Sequence, residues 1–301
     1  MDSEIEEWLY RSRYFEHHRD AGRSRKQGSP REKTMDLGLK NKRALVTGSS
    51  GGIGEAIAKT LAAEGVAVVV HGRKKGEAQR VVKEIEAAGG RAALALGDLA
   101  RDEEAERVAD AALAAFGGVD ILVNNAGSYP LGGWLQATPG EWASNFESNV
   151  FSAVRLIRRL APPMKDRGWG RIIQIASIAG VQPAPPAAAY SATKAAMINM
   201  TVSLARELDS TGVTVNTVSP GPIVTGGWNE FALQIGSAQG WGNDLEEIKK
   251  RLLDGWLKNP SGRIGQPEDI ADLVAFVASP RAGFVNGANL RVDGGMVPTV
   301  N

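Results

Sequence analysis

The sequence predicts one α/β domain built on a doubly wound parallel sheet, and three observations carry that expectation. From Lys42 onward, short β-branched runs alternate with helix-period segments, the mark of successive βαβ units. Most of those runs are continuously apolar, as strands are when helices cover both faces of their sheet. A chain of 301 residues fits one hydrophobic core with appendages better than two full domains.

Residues 1–34 stand apart, dense in Arg, Glu, His and Ser, with Ile5, Trp8 and Leu9 as a short helical stripe. They read as a flexible charged arm; the alternative is a docking segment that buries Trp8 and Tyr10. The core pattern begins just after Met35, so 35–301 is taken as the domain and Met35 as an equally good start. Seven strands are expected, at 43–47, 66–70, 92–96, 121–123, 171–176, 213–219 and 288–292. Ile53, Ile57 and Leu61 mark the first intervening helix. Right-handed crossovers place the ligand crevice beyond the carboxyl ends of the strands. Late in the chain, 226–262 carries Trp228, Phe231, Trp241 and Trp256, with helical spacing over 245–257. This stretch is expected to form a lid over a bulky apolar substrate; docking onto the core or another subunit explains the same residues equally well.

Composition narrows the function classes. The net charge of +1, from 35 basic and 34 acidic residues, makes no field suited to nucleic acid or an anionic membrane. With 0 Cys there is no disulfide framework and no thiolate metal site, and no metal is expected. The start, Met-Asp-Ser-Glu, lacks the basic and apolar regions of a signal peptide, and no segment approaches the ~20 apolar residues of a membrane span. A cytoplasmic protein with a small-molecule partner is expected.

Directly after the first strand comes Thr47-Gly48-Ser49-Ser50-Gly51-Gly52-Ile53-Gly54. Such a turn lets backbone amides and a helix N-terminus approach a pyrophosphate, although a purely structural tight turn has the same composition. The second strand ends His71-Gly72-Arg73-Lys74, with Arg73 where a carboxylate would otherwise meet a ribose 2′-hydroxyl. A guanidinium there can pair with a 2′-phosphate, or be solvated helix-start charge. Asp98 and Leu99 close the third strand, Asp98 also being placed for an N-cap, and Asn124-Asn125-Ala126-Gly127 follows the fourth.

Tyr190 and Lys194 are four apart, so a helix presents them on one face, where an ammonium favours the phenolate of a neighbouring phenol. Standing alone, that pair would be an ordinary surface pair. Ser177, however, ends the fifth strand 13 residues earlier, and Asn149 sits within a long predicted helix where Asn is a mediocre former. After the sixth strand comes Ser219-Pro220-Gly221-Pro222-Ile223-Val224-Thr225, and near the C-terminus Val292-Asp293-Gly294-Gly295.

Taken together, from about Leu39 to Met296, these motifs resemble the short-chain dehydrogenase/reductase family, in its 3-oxoacyl-carrier-protein-reductase-like branch. The glycine spacing is that of its TGxxxGxG, not the GxGxxG of other dehydrogenases. The resemblance implies a Rossmann-type sheet, an Asn149-Ser177-Tyr190-Lys194 catalytic set, and a cofactor site including Gly48, Ser50, Gly52, Ile53, Gly54, Arg73, Asp98, Leu99, Asn125, Ala126 and Gly127. Pro220, Gly221, Ile223 and Thr225 are implied beside the nicotinamide, with Asn124 and Gly127 steadying the central sheet. An Arg at position 73 implies NADP(H), with NAD(H) as the alternative because Gly51 stands where some NADP-preferring relatives are basic. Tyr190 is implied to protonate a developing alkoxide, Ser177 to bind its oxygen, Lys194 to hold the nicotinamide ribose and Asn149 a relay water. The last strand is implied to pack in a homotetramer. A dinucleotide-sensing binding protein on the same scaffold is the alternative; intact Tyr190 and Lys194 argue against it. An epimerase of the extended branch is disfavoured by the glycine spacing.

Overall fold

The computed structural model describes residues 35–299; the charged segment 1–34, expected to be a flexible arm, lies outside the described residues. Inside the sheet runs β1 (Arg43–Val46), with Ala44, Leu45 and Val46 buried. On one side it pairs with β2 (Ala67–Gly72), and β2 with β3 (Arg91–Leu96). On the other it pairs with β4 (Ile121–Asn124), followed outward by β5 (Gly170–Ile175), β6 (Val213–Pro220) and β7 (Asn289–Val292). Every pair is parallel, and the order is β3-β2-β1-β4-β5-β6-β7. The winding direction reverses between β1 and β4, which opens a crevice at their carboxyl ends. All seven strands lie within two residues of their expected bounds. β2 runs to Gly72 because its ladder continues through His71↔Ala95 and Gly72↔Leu96, a polar residue inside an apolar run.

The helices are α1 (Gly52–Ala63), α2 (Lys75–Ala87), α3 (Asp102–Phe116), α4 (Pro139–Phe146), α5 (Ser152–Asp166), α6 (Ala188–Glu207), α7 (Gly226–Ala238), α8 (Leu245–Asp254) and α9 (Pro267–Ala278). Their apolar stripes explain the two-faced core. Ile57 and Leu61 of α1, Val81, Val82 and Ile85 of α2, and Ile270, Val274 and Val277 of α9 pack on one face of the sheet. Val108, Ala109 and Ala112 of α3 and Leu156, Leu160 and Met164 of α5 pack on the other. Burying both faces makes β4, β5 and β6 inaccessible along their whole lengths.

Two expectations need correction. The long helix predicted around Asn149 is broken in phase: a π-helical turn, Glu147–Phe151, separates α4 from α5. The expected helix over 245–257 is α8, which stops at Asp254 before Gly255. Asp244 starts that helix, its Oδ1 accepting from Glu246 N and Glu247 N. Between α7 and α8 lies a small separate core of Ala232, Ile248, Leu252, Leu257 and Ile264, with Trp228, Ile235, Trp241, Leu245 and Leu253 against it. Most apolar residues of 226–262 therefore hold this segment together, which leaves Phe231, Leu233 and Trp256 outside that core. No helix among the described residues is long and apolar enough to cross a membrane.

Candidate active site

The turn after β1 is braced from below by side chains. Thr47 Oγ1 donates to Val123 O (3.2 Å) and accepts from Asn125 N and Ala126 N (both 2.9 Å). Asn125 Nδ2 donates to Thr47 O (2.9 Å) and Gly48 O (3.1 Å), so both its amide hydrogens brace the turn. At Gly54 a Cβ would run into the Gly48 carbonyl oxygen and the Asn125 amide, and only glycine lets α1 start so close to β1. Gly51 caps α1 without any side-chain hydrogen bond, leaving the first amides of the helix for an anion.

His71 completes this floor and is a residue to which sequence reasoning assigns no role. Its Nδ1 accepts from Gly48 N (3.0 Å) and its Nε2 lies 3.1 Å from Gly97 O, which fixes the proton on Nε2. The imidazole thus ties the glycine turn to the end of β3. Burial drives it down to about 4, and it is neutral at ordinary pH. A lone His within a continuous apolar strand beside a glycine turn is the signal that identifies it; Thr47, at the head of the turn motif, is equally unassigned.

Gly48, Ser50, His71, Gly72, Arg73, Asp98, Leu99, Ala126 and Gly127 line the crevice above. Arg73 is exposed at the rim, while neighbouring Lys74 pairs with Glu77 (3.2 Å). Asp98 Oδ1 accepts from Ala100 N (3.1 Å), so one of its oxygens closes the turn before α3, but the N-cap of that helix is Arg101 and not Asp98. Leu99 is buried in the core. Asn124 is buried opposite Gln174, but its amide has no protein partner among the described residues; bracing of the central strands comes from Thr47 and Asn125 instead. Across the crevice, Pro220 ends β6 and Gly221 lies against the Asp293 main chain. Ile223 is also buried, its side chain against Gly265. Thr225 caps α7 by accepting from Trp228 N (3.2 Å), and its methyl faces Gly52.

The four residues of the implied catalytic set come from two helical elements and one strand end. Ser177 follows β5 and caps the 3₁₀ turn Ile178–Gly180, its Oγ accepting from Ala179 N (3.1 Å). Tyr190 and Lys194 lie one turn apart on α6, the ammonium 5.5 Å from the ring centroid. Lys194 is buried and donates to Ile175 O (2.9 Å). The π-helical turn points Asn149 at Ser128: Oδ1 accepts from Ser128 N (2.9 Å) and Nδ2 donates to Ser128 O (3.1 Å) and Thr193 Oγ1 (3.3 Å). Gly127 passes beneath with no room for a Cβ, which would strike Asn149 Oδ1 and lie 3.7 Å from Lys194 Nζ.

The electrostatics differ from expectation in one respect. Burial pushes the Tyr190 phenol up to about 12, against the downward pull of its hydrogen bond with Ser177. Lys194 is itself pushed down to about 8 by burial, and it does not bring the phenol down. In the protein alone, desolvation outweighs the hydrogen bond from Ser177.

A family model described as short chain dehydrogenase matches residues 42–235. An uncharacterised oxidoreductase of Bacillus subtilis is 39% identical over 273 residues, 87% of this chain and 99% of that protein. The 3-oxoacyl-[acyl-carrier-protein] reductase of Staphylococcus epidermidis is 37% identical over 257 residues, 85% of this chain and 99% of its own. Among solved structures, L-sorbose reductase of Gluconobacter frateurii, complexed with NADPH and L-sorbose, matches with a TM-score of 0.84 at 36% identity, covering 88% of this chain and 100% of that one.

Proposed function

Because the chain belongs to the short-chain dehydrogenase/reductase family, in its 3-oxoacyl-carrier-protein-reductase-like branch, we propose that it is an NADP(H)-dependent oxidoreductase that interconverts a carbonyl compound and a secondary alcohol. The observation that carries the proposal is the convergence of Ser177, Tyr190, Lys194 and Asn149 on a glycine-lined crevice with Arg73 at its rim. The crevice suits a dinucleotide: the uncapped α1 amides would hold a pyrophosphate, Arg73 would pair with a 2′-phosphate, and the buried Lys194 ammonium, which donates to Ile175 O and Met197 Sδ, would have one hydrogen left for a ribose hydroxyl. The nicotinamide, when bound, supplies the hydride for reduction and takes it back in oxidation.

In reduction, Tyr190 gives its phenolic proton to the substrate oxygen, for which a pKa of about 12 keeps it loaded. Ser177 hydrogen-bonds the same oxygen. Lys194 would hold the ribose and pass a replacement proton toward the phenol. Both amide hydrogens of Asn149 are engaged by Ser128 and Thr193, so a relay water at this residue rests on its main-chain carbonyl within the π-helical turn. The substrate classes the resemblance offers are 3-oxoacyl thioesters, ketosteroids and sugars, and the cysteine-free chain suits the reducing cytoplasm.

An NADPH-oxidation screen over those classes and quinones, with NADH in parallel, tests the proposal; no turnover of any carbonyl would sink it. Arg73→Ala is expected to weaken NADPH by about 10- to 100-fold, the loss of a charge-assisted pair to phosphate, and to leave NADH nearly unchanged. Equal losses for both cofactors would remove the basis for NADP(H). A homotetramer is the assembly we infer: β7 is a half-buried sheet edge, and Phe284, shortly before it in the chain, is fully exposed. Light scattering should return four times the chain mass of 31.9 kDa, and a monomer mass would overturn it.

A further inference from the structure

Four aromatic rings run outward from the reacting phenol, each edge-on to the next. Tyr190 and Tyr129 have centroids 4.5 Å apart at 90°, Tyr129 and Phe231 6.4 Å at 87°, and Phe231 and Trp256 6.5 Å at 86°. Tyr129 is anchored on both sides. One residue before it, Ser128 is gripped by both ends of the Asn149 amide. Three residues after it, Gly132 bridges to Ala187, with Gly132 N donating to Pro186 O (2.8 Å) and Ala188 N to Gly132 O (3.3 Å). Ala188 opens α6, the helix that carries Tyr190 and Lys194. The loop is therefore joined to the same elements that place the proton-transfer groups.

This anchoring does not hide the rings: Tyr129 is 49% exposed and Trp256 57%. Beyond Tyr190, the polar atoms these side chains offer are one phenol and one indole N–H. A polyol laid along them would lose water at hydroxyls that find no partner. A long flexible chain would lose rotamer freedom to lie flat, whereas a ring arrives already ordered. We propose that Tyr129, with Phe231 and Trp256, is a stacking wall that selects ketones whose carbonyl belongs to, or adjoins, a flat apolar ring. The proposal rests on Tyr190 marking the reacting end of the site.

The test pairs turnover with binding. For the NADPH-loaded protein, kcat/KM is compared for α-tetralone, 2-decanone of equal carbon number, and fructose, in wild type, Tyr129→Phe and Tyr129→Ala. Wild type and Tyr129→Phe are expected to favour tetralone. In Tyr129→Ala the tetralone-to-decanone ratio should fall about tenfold, mainly through KM, as loss of one aromatic contact with its buried area implies. Calorimetric binding of tetralone to the NADP⁺-loaded protein needs no turnover and should weaken by a similar factor, with the unfolding temperature unchanged. Equal effects on all three ketones, or unchanged tetralone binding in Tyr129→Ala, would overturn the wall. A tenfold binding loss in a protein that reduces no ketone would support the wall and strike the reductase reading alone.

Discussion

Replacing Tyr190 with Phe is expected to lower turnover by about 10²- to 10⁴-fold, the range for loss of a positioned proton donor, while NADPH affinity stays in place. The substitution removes one O–H. The ring keeps its edge-on contact with Tyr129, and Lys194 keeps its bond to Ile175 O. The pH profile sharpens the expectation. With the phenol at about 12, reduction finds its proton donor loaded through the neutral range, and the first alkaline loss falls near pH 8, where Lys194 gives up its charge. Oxidation needs the phenol's proton removed, so its rate should climb with pH instead. Initial-rate kinetics in both directions, with fluorescence titration of NADPH, check this. Full activity in Tyr190→Phe would refute the assignment of Tyr190.

Acid should destabilise the protein through His71 by about 3 kcal/mol between pH 6.5 and 4. Burial lowers this imidazole to about 4 in the folded chain, while the unfolded chain binds its proton near 6.5. In that window the unfolded state holds more protons, so stability present above pH 6.5 is lost as pH falls toward 4. Protonation also places a second N–H against the Gly48 amide, two donors face to face, and so loosens the glycine turn. Urea unfolding at a series of pH values should show this slope in wild type, and a slope shallower by one proton in His71→Gln. Identical slopes in the two proteins would remove His71 from the account.

The contrast between these two residues shows what a sequence reveals. Tyr190, Lys194 and Ser177 are legible because their chemistry needs a fixed spacing along one helix and one strand end. His71 has no spacing to betray it: it sits in a run of valines, and its partners, Gly48 and Gly97, come from other elements. The strands were legible because an apolar run between two helical layers has few alternatives. The π-helical turn at Asn149 was not, since 3.6-residue periodicity on both sides continues across it. The apolar residues of 226–262 announced a buried face without saying against what, and most of them face each other. For Arg73 and Asp98, position along the chain gave the place in the crevice, but only the hydrogen bonds showed that Asp98 also serves its own turn.

That turn at Glu147–Phe151 gives the helix one residue more than an α-helical path between the same endpoints requires. Take the surplus away and everything downstream would rotate by roughly 100°, one residue's share of a 3.6-residue turn. Either Asn149 would swing off Ser128 or α5 would swing its leucines off the sheet. The chain can satisfy both neighbours only by being locally out of step, so grafting a smoother helix from another protein into this place would force it to choose between its core and its chemistry.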